Sequence, residues 1–121
     1  MMYSDDKTPM LSVLTMKSGF IYKLDAATCV HLISIDLQQG YDANLEIHFD
    51  GSVIVEASVS AKNIHESFDT LVWGNDCIAL KSESYATADV MGYIDGHFYG
   101  VAGQEFMPLE EVFQEIKMPD N

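Results

Sequence analysis

Four histidines, two cysteines and nineteen carboxylates are the side chains here that could do chemistry, and their spacing decides what kind. His31, His48, His65 and His97 never fall at His-x-His or His-x-x-x-His spacing, the patterns that aim two imidazoles at one ion. A metal site would need ligands from separate strands, such as His48 and His97 beside two Asp-Gly turns, together with an acid. Polar strand positions facing water suit the neighbours of these histidines better, so no metal is expected. Cys29 and Cys77 stand beside apolar runs, where a thiol tends to be buried and inert. They lack C-x-x-C spacing and are too few for a disulfide framework. There is no Gly-x-Ser-x-Gly and no glycine-rich phosphate loop. The adjacent pairs Asp5-Asp6 and Glu110-Glu111 lie at the chain's start and in a first helical turn. Carboxylates brought together by folding could still form a hydrolytic pair. A small enzyme or ligand sensor therefore stays as an alternative, but no catalytic residue and no cofactor is assigned.

Charge narrows the partners. Nineteen acids face six basic residues, all lysine, for a net charge of −13. The excess is spread along the chain: eight acids and three lysines in residues 1–60, eleven and three in residues 61–121. Nucleic-acid binding depends on neutralising phosphates with Lys and Arg, so direct contact with DNA or RNA is not expected. Anionic membranes are disfavoured for the same reason. Without arginine the chain also lacks the bidentate fork that grips phosphates and carboxylates. A basic protein partner fits instead, because a negative surface steers a positive one to it. The first residues carry no basic segment followed by an apolar one, so no signal peptide is read and a cytoplasmic location is expected.

The elements that must position these groups read mostly as strands. Residues 10–16 and 20–24 alternate around a Lys-Ser-Gly turn, which predicts a first hairpin. Residues 25–40 fit either a short helix over 25–33 or a strand over 29–37. The strand reading puts Cys29, His31, Ile33, Ile35 and Leu37 on one face, with Ser34 and Asp36 opposite. Residues 45–60 flank Asp50-Gly51, a type I′ hairpin signature, with Ile47 and Phe49 facing Val53 and Val55. Residues 61–73 are open between helix and strand, 77–85 read as a strand, and 88–103 as a second Asp-Gly hairpin. There Phe98 and Tyr99 must point to opposite faces. Leu109, Val112, Phe113 and Ile116 fall at i, i+3, i+4 and i+7 after Pro108, which predicts an amphipathic helix over 109–118. The expectation is one α+β domain over 1–121: antiparallel hairpins, a C-terminal helix, and a flexible start at 1–8.

Surface recognition is what remains. Aromatics ringed by acids make hot spots for a basic partner. The expected contacts are Asp42, Glu46, Asp69, Asp76, Glu83 and Asp89, with Trp73, Tyr85, Tyr93 and Tyr99. In size, charge and absent catalytic signature the chain resembles the small acidic inhibitors made by bacteria and phages, namely immunity proteins and anti-defence proteins such as anti-CRISPRs. That resemblance carries no residues across. It implies a non-enzymatic inhibitor that covers the nucleic-acid or substrate face of a toxin, nuclease or nucleic-acid-binding complex. An assembly subunit or acidic effector chaperone is the other binding role considered, and a free strand edge leaves a homodimer open.

Overall fold

A computed structural model describes residues 10–95 and 107–119 of the chain. Nine strands follow one another among these residues: β1 (Ser12–Lys17), β2 (Phe20–Leu24), β3 (Cys29–Gln39), β4 (Asp42–Phe49), β5 (Ser52–Ser60), β6 (His65–Trp73), β7 (Cys77–Lys81), β8 (Thr87–Ile94) and β9 (Phe113–Lys117). They form two antiparallel sheets, ordered β1-β8-β3-β6 and β5-β4-β7-β2-β9. Setting β9 aside, this is the strand order of a double-sheet jelly roll. Alternating side chains from the two inner faces fill the space between the sheets, led by Tyr22, Leu24, Leu32, Ile35, Leu45, Ile78, Leu80 and Ile94. The phenol of Tyr22 is satisfied inside: its oxygen accepts the Lys17 N–H at 2.8 Å and its O–H donates to Glu115 Oε2 at 2.8 Å. Burial pushes the Cys29 thiol up to about 11, with Asp95 adding to it, so the buried thiol is inert at neutral pH.

The expected α+β class is therefore wrong, because the C-terminal helix over 109–118 does not form. Only Leu109–Glu111 make a single 3₁₀ turn, and Phe113–Lys117 pair with β2 from Leu24↔Phe113 to Phe20↔Lys117. Leu109, Val112 and Phe113 are buried as the periodicity predicts, but the short turn is enough to bury them. Beyond it the free edge of β2 offers a ladder of hydrogen bonds, and Ile116 is left exposed. Tertiary pairing outweighs a two-turn helical pattern whose isolated stability is marginal.

Other local readings need correction as well. Strands β1 and β2 are not a hairpin: they lie in different sheets, and Gly19, at φ 89°, turns the chain between them. Residues 25–33 and 61–73 are not helical, since β3 and β6 occupy them. The Asp50-Gly51 hairpin forms, with φ of 50° and 74° at the turn. A two-residue loop sets Phe49 opposite Ser52 and Ile47 opposite Ile54, not Val53 or Val55. The second Asp-Gly turn and the start of the chain lie outside the described residues.

The feature that positions the site is a pair of bulges. Leu32 pairs with Gly92 and Ser34 with Met91, so β3 carries one extra residue, Ile33, against β8. On its other side Leu32 pairs with Thr70 and Ser34 with Ser67, so Phe68 and Asp69 together face Ile33. Gly92 makes this possible, because a Cβ there would collide with the His31 carbonyl oxygen and lie 3.0 Å from Leu32 Cδ2. The substitution Gly92→Ala is expected to lower stability by about 1–3 kcal/mol, read by urea unfolding. A neutral result would show that β3 and β8 can separate without cost.

Candidate protein-binding face

Alternation along four strands exports one set of side chains to the outer face of the four-stranded sheet, and the ladder registers line them up in rows. One row runs Thr15, Asp89, Asp36, His65 from β1 through β8 and β3 to β6. The next is Val13, Met91, Ser34, Ser67, and the third holds Tyr93, His31 and Leu71. Asp69 stands beside the last two rows, on the bulge of β6.

In the third row the hydrogen bonds set the protons. Tyr93 lies opposite His31 with ring centroids 5.2 Å apart, and its hydroxyl is 2.9 Å from His31 Nδ1. Burial holds the Tyr93 phenol above its ordinary value, and Asp95 and Asp69 add to it. A carboxylate only accepts, so His31 Nε2 carries a proton and donates it to Asp69. In the tautomer that leaves Nδ1 bare, the Tyr93 hydroxyl donates to it. That carboxylate is 77% exposed, held at one oxygen and open to solvent at the rest.

The first row is electrostatically loaded. Asp36 and Asp89 are direct cross-strand neighbours, an arrangement that costs energy when both are charged. Each is steadied from its outer side. His65 Nδ1 lies 2.7 Å from Asp36 Oδ1, and Thr15 Oγ1 donates to Asp89 Oδ1 at 2.8 Å. Lys17, at the end of β1, is turned to Glu115 at 3.6 Å and lies over the Phe20 ring at 4.8 Å. No other lysine projects from this face among the described residues. Three carboxylates and two histidines thus share a surface with Val13, Met91, Leu71 and Trp73.

Of the contacts expected from sequence, Asp69, Trp73, Asp89 and Tyr93 come together here. The others do not. Glu46 faces out from the five-stranded sheet, 3.0 Å from His48 Nε2. Asp42 and Glu83 line an open groove of about 490 Å³ with Asn44, Ser58, Ser60 and Lys81. Tyr85 is exposed in the β7–β8 connection. Asp76 follows the β6–β7 turn, where burial raises its carboxyl above the ordinary value. Tyr99 and His97 lie outside the described residues. Sequence reasoning missed Thr15, His31, Asp36 and His65 as members of the site. Alternation marks them only as outward-facing polar positions, and their grouping depends on cross-strand register.

The Tyr93 phenol has a pH consequence. A group whose folded value is raised stabilises the fold below its unfolded value, about 10 for tyrosine. That contribution is lost as pH rises through the folded value. Tyr93→Phe should lose about 0.5–1.5 kcal/mol at pH 7 by deleting the bond to His31. Its stability should then fall less steeply than the parent's above pH 10, and urea unfolding at several alkaline pH values checks both. Parallel curves would mean that the phenol is not held protonated.

Comparison with known proteins adds a fold and nothing finer. No family model and no curated protein matches the chain. Among solved structures it is similar to the nucleoplasmin-like N-terminal domain of Drosophila FKBP39, with a TM-score of 0.61 over 98% of each chain and 15% sequence identity. A likeness at that identity extends to the arrangement of strands.

Proposed function

We propose that this chain is a non-enzymatic binding protein that holds a basic protein partner against the outer face of its four-stranded sheet. The observation that carries the reading is the three carboxylates Asp36, Asp69 and Asp89 on one face, set among apolar side chains and two histidines, on a chain of net charge −13. Lysine and arginine side chains of a partner would relieve the opposed Asp36 and Asp89. Charge-assisted hydrogen bonds of this kind are among the stronger ones proteins make. Met91, Leu71, Trp73 and Val13 supply the apolar contact that charge alone lacks. Acids in place of phosphates compete for the groups a toxin or nuclease uses on its substrate, so binding would inhibit such a partner. An immunity or anti-defence role follows from that competition.

The test uses a synthetic arginine-rich peptide as probe, with affinity measured by calorimetry at low and high salt. Binding should weaken steeply with salt. The triple variant Asp36→Asn/Asp69→Asn/Asp89→Asn should lose at least about tenfold in affinity. A variant with the same change in net charge on other surfaces, Asp42→Asn/Glu56→Gln/Glu83→Gln, should stay close to the parent. Equal losses in the two variants would reduce the effect to overall charge and sink the assignment to this face.

A further inference from the structure

The outer edge of β5 is treated differently along its two halves. Toward its C-terminal end the edge is closed: the Ser58 N–H donates to Glu66 Oε1 at 2.8 Å, and Ser60 bonds reciprocally with Asn63. A bulge at Glu56, where Leu45 pairs with Ala57 and Glu46 with Val55, separates that half from the other. Ser52–Val55 has none of these protections. Among the described residues no strand pairs with its outer side, and it carries no charge and no proline. Three consecutive apolar β-branched residues, Val53, Ile54 and Val55, are 52, 43 and 55% exposed. Natural sheets rarely leave such an edge bare, because its free N–H and C=O groups are a template for another strand.

We propose that Ser52–Val55 pairs with the same segment of a second copy of this chain, antiparallel about Ile54, joining two five-stranded sheets into one. The occupant follows from the segment itself. Its apolar pattern is symmetric about Ile54, so a two-fold axis there sets Val53 of one copy opposite Val55 of the other and makes the interface self-complementary. Charge selects the same place. Two chains of net charge −13 repel over most of their surfaces, whereas Gly51–Val55 is an uncharged stretch through which they can approach. On the outer face of the five-stranded sheet Val53 and Val55 stand beside His48 and Glu46, which hold each other at 3.0 Å. The acidic face belongs to the other sheet and stays open.

Light scattering on the full-length chain at increasing concentration reads the outcome directly. One chain weighs 13.5 kDa, and the mass should rise to twice that value. Val55→Lys and, independently, Val53→Lys place like charges across the axis and should weaken the pairing at least about tenfold. Ile116→Lys, an equal charge change on β9 at the opposite edge of the same sheet, should leave it intact. Amide exchange at residues 52–55 should slow as concentration rises in the parent and not in the two β5 variants. Thermal unfolding confirms that each variant is folded. A parent that keeps the one-chain mass at every concentration overturns the proposal, as does equal dissociation by Ile116→Lys, or a dimer that survives both β5 substitutions.

Discussion

Strand β3 cannot send both His31 and Asp36 to the same face of a regular sheet, because five residues separate them and strand side chains alternate. The bulge at Ile33 removes the conflict by changing the parity of the strand midway: Val30 and Leu32 point inward before it, Ile35 and Leu37 after it. Strand β6 then adds a residue against β3, which returns its own alternation to that of β8. The extra residue brings Asp69 out beside His31 while Phe68 packs inward against the core. Both bulges sit at one level of the sheet, and Gly92 on β8 gives the first of them room. The polar rows on the outer face depend on this local break in the ladder.

An electrostatic consequence follows. Once Asp36 is turned outward it meets Asp89 across the β3–β8 ladder, and the sheet must carry two opposed carboxylates. Thr15 and His65 hold them from either side, each through a single oxygen. A neutral hydroxyl and an imidazole ease the repulsion without removing it. A cation placed between the carboxylates would ease it further. The acids are held at fixed places, two of them against their own repulsion.

Much of the strand content is legible in the sequence because alternation and a single Asp-Gly turn are local signals. The hairpin of β4 and β5 needs no more than Asp50, Gly51 and the residues beside them. What failed needed long-range information. Residues 109–118 satisfy a helical period, yet the free edge of β2, some ninety residues earlier in the chain, decides their state. Residues 10–16 and 20–24 read as two arms of a hairpin, yet a jelly roll sends the chain from one sheet to the other between them. The site failed for the same reason. Asp69, Asp89, Trp73 and Tyr93 were recognisable as residue types, but Thr15, His31, Asp36 and His65 join them only through ladder register. The alternation assigned to residues 29–37 was broken by a bulge whose cause, Gly92, lies on another strand.

The same alternation that concentrates charge on one sheet leaves the other nearly neutral. Strands β2, β4 and β7 export Lys23 and Lys81 with Asp42 and Glu46, beside Ile21, Ala79 and Cys77. Strand β5 adds Val53 and Val55. On the proposed reading, an acidic chain divided in this way would keep two kinds of contact apart. A basic partner would be drawn to the three aspartates. A second copy would meet the first along an uncharged edge. Neither surface has to be weakened to preserve the other, because the core between the sheets keeps them on opposite sides of the sandwich.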